Sequence, residues 1–138
     1  MQTPSVTGFY LGLLALIYAT LALQVARLRR GNRVVFGDGE NRKLRIAIRA
    51  HAHFAEYVPI IALMVAMLEM SGSPAMRIQM LMGTLLVVRL LHPLGMYAGP
   101  QTWRFRICRI GGMVVTLVLL TTCALLILWR LLPNLTQQ

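Results

Sequence analysis

The run GFYLGLLALIYATLALQVA, residues 8–26, carries no charge, and its only strongly polar side chain is Gln24. At about 1.5 Å per helical residue it is long enough to cross the hydrocarbon core of a bilayer, about 30 Å thick. No basic segment precedes it, and Arg27, Arg29 and Arg30 follow at once. The run therefore reads as a retained spanning helix rather than a cleaved signal peptide. Three further apolar stretches follow, Ile46 to Met70, Ile78 to Met96 and Ile107 to Leu132. They predict four helices at approximately 6–29, 41–71, 74–97 and 103–132, which leaves no room for a soluble domain. The expected fold is an all-α integral membrane four-helix bundle occupying 1–138 as one domain. A 57% hydrophobic composition and a mean hydropathy of +0.66 agree, because the apolar excess needs lipid to face.

The charge is distributed unevenly. The formal net charge is +10, which in a soluble protein would suggest nucleic acid; beside membrane spans it suggests anionic lipid headgroups instead. Arg27, Arg29, Arg30, Arg33, Arg42, Lys43 and Arg45 surround the first connection, and Arg89, Arg104, Arg106 and Arg109 flank the third. The opposite side has Arg77, Arg130 and Glu69. The positive-inside rule predicts both Arg-rich loops in the cytoplasm and both termini outside it. The compact topology with few loop residues suits a bacterial inner membrane, with the termini periplasmic, and the endoplasmic reticulum is the alternative. Asp38-Gly39 marks a tight turn in the first loop, Gly72 and Pro74 a short second connection, and Gly95, Ala98, Gly99 and Pro100 a break after the third helix. Trp103 and Trp129 suit the two interfaces, and Gly111-Gly112 a close helix contact.

The second helix holds Arg45, Arg49, His53 and Glu56 at spacings of four, four and three, within one narrow arc. Ionisable groups inside a span face a bundle interior or wet cavity and pair with one another. The blander reading of Arg49 and Glu56 is an interhelical structural pair. Arg89 and His92, one turn apart on the third helix, and Arg109 on the fourth complete a set that would meet at the cytoplasmic ends and suit an acidic ligand. His51 projects nearly opposite the stripe and reads as a structural contact. His53 and His92 as haem or metal ligands is the weaker alternative, and no metal site is expected. Cys108 and Cys123 read as reduced structural thiols, and the methionines of the second helix as packing.

The segment from Arg49 to Pro59, RAHAHFAEYVP, resembles the signature of the MAPEG family, the membrane-associated proteins in eicosanoid and glutathione metabolism. Gln24 to Arg29, Arg89 to His92 and Ile127 to Trp129 resemble the ends of the family's first, third and fourth helices, so the likeness covers nearly the whole chain. It implies a homotrimer that binds glutathione as cosubstrate between subunits near the cytoplasmic side. On that basis Arg49, His53, Glu56, Arg89 and His92 hold the tripeptide, Arg27 adds a contact from a neighbouring first helix, and Arg109 activates the thiol. A guanidinium beside sulfur favours the thiolate, whose ordinary pKa is about 8.5. The chain departs from the family's pattern at His53, where Asn is usual, and at Met96 and Met113, where tyrosines are usual.

Three functions compete at this point. One is a glutathione-dependent transferase or peroxidase acting on a lipophilic electrophile or hydroperoxide that arrives through the bilayer. Another is a trimeric membrane protein of the same fold without thiol chemistry. The third is a small proton-coupled exporter using Glu56, which the clustered arginines disfavour for a cationic cargo.

Overall fold

The computed structural model describes residues 3–97, 101–103 and 105–135, with side chains to 132. Four helices long and apolar enough to cross a membrane account for most of the chain, and there is no strand among the described residues. They are α1 (Ser5–Asn32), α2 (Arg42–Met70), α3 (Ala75–Tyr97) and α4 (Gly112–Leu135); a π-helical segment, Phe105–Gly111, leads directly into α4.

Local chemistry fixes the ends. Past Asn32 the chain reverses through Arg33, whose φ of 55° is left-handed, and the Val34 amide returns to the Arg29 carbonyl at 3.0 Å. Asn41 caps α2 by accepting from the Lys43 and Leu44 amides at 2.9 and 3.1 Å. Its side chain also donates to Asn32 at 2.8 Å, tying the two helix ends. At the far end of α2, Gly72 at φ 80° lets Ser73 reach back to the Leu68 carbonyl at 3.1 Å, and α3 starts after Pro74.

The core follows helical spacing. Leu44, Ala47, Ala50, Phe54, Val58, Ile61, Val65 and Leu68 form the buried stripe of α2, and from Ala50 to Leu68 it packs in one cluster with Leu14 and Leu21 of α1 and with Ile78, Met82 and Leu85 of α3. Packing of this kind, rather than hydrophobic transfer alone, holds helices together in lipid. α3 is the most enclosed of the four. It continues through Gly95 rather than breaking there, because Gly95 is a contact point: a Cβ on it would lie 2.6 Å from the Arg109 amide nitrogen. Gly112 likewise faces Val88 and His92.

Where α1 begins, Pro4 offers no side-chain cap. Glu69 of α2 takes that part. Its carboxylate accepts from the Val6 amide at 2.9 Å, the Thr7 amide at 2.8 Å and the Thr7 hydroxyl at 2.6 Å. Negative charge at a helix N-terminus is favourable, and burial strengthens the effect. Nearby, Arg130 donates to the Ser71 carbonyl at 2.6 Å and ties α4 to the α2–α3 turn.

Candidate functional site

The polar residues of the spans converge on the side of the bundle where the α1–α2 loop lies. Arg89 is 2% exposed and His92 5%, so both are interior groups of α3. Arg89 donates to the Thr116 hydroxyl of α4 at 3.2 Å and to the His53 carbonyl of α2 at 3.4 Å, and its guanidinium lies 5.6 Å from the centre of the Tyr57 ring. The Thr116 hydroxyl in turn donates a hydrogen bond to the Gly112 carbonyl at 2.8 Å. One guanidinium thus joins three helices. The His53 and His92 rings meet edge to face at 5.6 Å, and Tyr57 stacks on His53 at 6.2 Å.

This cluster is incompletely satisfied. His53 Nδ1, Arg89 Nε and His92 Nε2 are buried without a hydrogen-bond partner, and among the described residues no carboxylate pairs with Arg89. An uncompensated buried cation is costly, so the arrangement favours an anion beside it.

The remaining site candidates stand on the outer surface of this single chain. Arg27, Arg49, Glu56 and Arg109 are exposed. The stripe expected on α2 is therefore divided: His53, at its edge, turns toward α3, while Arg45, Arg49 and Glu56 point away from the core. Glu56 keeps 59% of its side chain exposed, and among the described residues its ion-pair contact is His53 Nδ1, at 3.9 Å. Arg109 rests over Phe105 at 4.9 Å. Arg104 lies outside the described residues, as do Ala98, Gly99 and Pro100.

Other polar groups are committed elsewhere. His51 stacks on Tyr18 of α1 at 4.6 Å, which is a structural contact. The Tyr97 hydroxyl accepts from Gln24 of α1 at 2.7 Å, while Met96 is buried. The π-helical segment carries Cys108 and Arg109 against Gly95. Both cysteines are free. Sequence reasoning assigned no role to Tyr57 or to the Glu69 cap. Tyr57 stood inside the quoted signature one turn from His53, a usable signal; nothing in the sequence joined Glu69 to Thr7.

The family model described as "MAPEG family" matches residues 7–125, most of the chain. The chain belongs to the MAPEG family. It is similar to the inner membrane protein YecN of Escherichia coli K12, with 33% identity over 124 residues, covering 90% of this chain and 91% of the relative. YecN from a second Escherichia coli strain, O6:H1, matches to the same extent. No solved structure matches significantly. As a MAPEG member the chain has the four long apolar helices read from its sequence, and the name of its relative states a membrane location for that protein without stating an activity.

Proposed function

We propose that the chain is a glutathione-dependent transferase or peroxidase of the bacterial inner membrane, assembled as a homotrimer, that acts on lipophilic electrophiles or hydroperoxides. The observation that carries this reading is the pair of uncompensated charges on either side of α2. Arg89 is buried without a carboxylate, and Glu56 faces outward about 16 Å beyond Arg45 along the helix, at 1.5 Å per residue. A carboxylate facing lipid at that depth is costly. A second copy of the chain against the outer face of α2 would cover it, and a zwitterionic, acidic peptide between the copies would supply an amine for Glu56 and carboxylates for arginines. Glutathione fits that description, and family membership supports it.

In this reading Arg49 and Arg89 grip the peptide carboxylates through paired N–H donors. Glu56 accepts from the amine, and His53 and His92 offer the ring nitrogens that lack partners. Arg27 contributes from the neighbouring first helix. Arg109 stands at the sulfur and favours the thiolate. In the transferase reaction the thiolate forms a carbon–sulfur bond as a leaving group departs. In the peroxidase reaction it attacks the peroxide, an S–O bond forms as the O–O bond breaks, and the alkoxide leaves and takes up a proton as the alcohol; a second glutathione then attacks the sulfenic acid, giving the disulfide and water. The Arg-rich loops face the cytoplasm and both termini the periplasm, as the positive-inside rule requires.

A specific observation favours a noncatalytic protein of the same fold as the second reading. Tyr97, the tyrosine next to the position where the family usually has one, spends its hydroxyl on Gln24, and Met113 offers none. Ultraviolet difference absorption of the detergent-purified protein titrated with glutathione at neutral pH separates the two. A saturable thiolate band supports the enzyme. Saturable binding without the band supports the second reading, and no binding removes both glutathione roles.

A further inference from the structure

The loop between α1 and α2 builds a cleft whose lining, Arg49 apart, the glutathione reading leaves unused. Arg29, Gly37, Asp38, Arg45, Ile48 and Arg49 line it, enclosing about 430 Å³. The backbone is folded to form it: Arg29 Nη1 donates to the Val35 carbonyl at 3.0 Å, and Asp38 accepts from the Glu40 amide at 3.1 Å while pairing with Arg45. Three guanidinium groups against one carboxylate leave the cleft cationic. Ile48 gives it an apolar wall. Beside it the same loop presents Val35 and Phe36, 76% and 88% exposed. Two apolar side chains held bare beside an arginine cleft are unfavourable toward water and suited to the boundary between headgroups and acyl chains.

We propose that this cleft seats the headgroup of an anionic phospholipid from the leaflet on the loop side, with the phosphate on Arg29 and Arg49 and the acyl chains against Phe36 and Ile48. Charge decides the class of lipid. Asp38 already neutralises Arg45, so two arginines remain for a phosphate, and a headgroup amine would bring back the positive charge that the phosphate removes. The polar-and-apolar pairing favours a lipid over a soluble phosphate, because free phosphate has no use for Phe36. The site depends on the loop rather than on Arg89, His92 or Arg109, and Arg49 alone is common to it and the glutathione reading.

Full-length protein is reconstituted in nanodiscs of equal phosphatidylglycerol and phosphatidylethanolamine, and the lipids retained on release are counted by native mass spectrometry. The wild type retains phosphatidylglycerol over phosphatidylethanolamine by about tenfold, in line with one to two arginine–headgroup contacts. Arg29→Gln and Phe36→Ser each bring the ratio close to parity, with helix content by circular dichroism and glutathione affinity unchanged. No preference in the wild type, or a preference untouched by both variants, overturns the proposal. Displacement of the retained lipid by millimolar inorganic phosphate reassigns the cleft to a soluble anion and overturns it equally. Loss of glutathione binding without loss of lipid preference counts against the glutathione reading alone.

Discussion

Glu69 and Thr7, sixty-two residues apart, are joined twice: the Thr7 amide and hydroxyl both donate to Oε2 of the Glu69 carboxylate, at 2.8 and 2.6 Å. The pair closes the first turn of α1 with a side chain from the last turn of α2. Glu69→Ala leaves that turn uncapped, with a loss of about 1–3 kcal/mol. Thermal unfolding in detergent reads the loss, and Thr7→Val adds little to Glu69→Ala if the two act as one unit. Full additivity of the two variants would show that they do not.

Gly95 brings α3 and the π-helical segment into backbone contact, and a methyl group at Gly95 would sit 2.6 Å from the Arg109 nitrogen and 2.8 Å from Cys108 Cβ. The backbone must shift to admit it. Gly95→Ala is expected to cost about 1–3 kcal/mol and to move Arg109 away from the His92 cluster. The unfolding midpoint checks the first effect, and loss of the glutathione thiolate band the second. Gly83→Ala is a suitable control, since its nearest neighbour is the Tyr10 hydroxyl at 3.4 Å.

Arg89 is interior and lacks a carboxylate, so replacing it by an apolar side chain of similar length removes a buried charge rather than an ion pair. Arg89→Met should unfold no earlier than the wild type in the absence of ligand, because isosteric hydrophobic replacement of buried charge is often neutral or stabilising. Glutathione should no longer raise its unfolding temperature. A large loss of stability without ligand would show that the Thr116 and His53 contacts outweigh the burial cost.

The Asp38–Arg45 pair gives the loop a pH dependence. The hydrogen bond that the Asp38 carboxyl accepts from Arg45, followed by the one from the Glu40 amide, holds it below its usual range. A depressed pKa contributes above the ordinary carboxylate value of about 4 and is lost as pH falls through the lowered one. Protection of the Glu40 amide from hydrogen exchange, once corrected for intrinsic rates, should therefore hold at neutral pH and decline below about pH 4. In Asp38→Asn the decline should vanish.

Arg109→Ala should abolish the thiolate band while leaving helix content and assembly intact, and Glu56→Gln should weaken equilibrium binding of glutathione by about tenfold, the loss expected of one charge-assisted hydrogen bond. A normal band in the first variant, or unchanged binding in the second, removes the role given to that residue.

The four spans were legible because hydrophobic length is a one-dimensional property: residues 8–26 announce a helix with no knowledge of what they touch. The association of His53 with Arg89 and His92 was legible in outline, since each lies toward the same end of its helix. The direction in which each side chain points was less so. Arg45, Arg49, His53 and Glu56 share an arc on paper, yet His53 lies at its edge, near enough to α3 to turn inward. The π-helical segment has no clear sequence signal, and α3 runs through Gly95 where glycine suggested a break, because the glycine serves contact with Arg109 rather than chain reversal. The Glu69 cap depends on helix lengths that bring two distant ends level.

The π-helical segment Phe105–Gly111 also gives the chain a reserve of length. A π turn is an α turn holding one residue too many, with i→i+5 hydrogen bonds in place of i→i+4. Deleting one residue there would let the backbone close to α geometry while α4 keeps its place against α2 and α3. Residues on both sides of the segment would keep their faces, because the π turn absorbs the rotation of about 100° that an extra residue would add to a regular α-helix. Only residues inside the segment, Arg109 among them, would be re-aimed, so the chain can lose a residue here while the packing of α4 stays as it is.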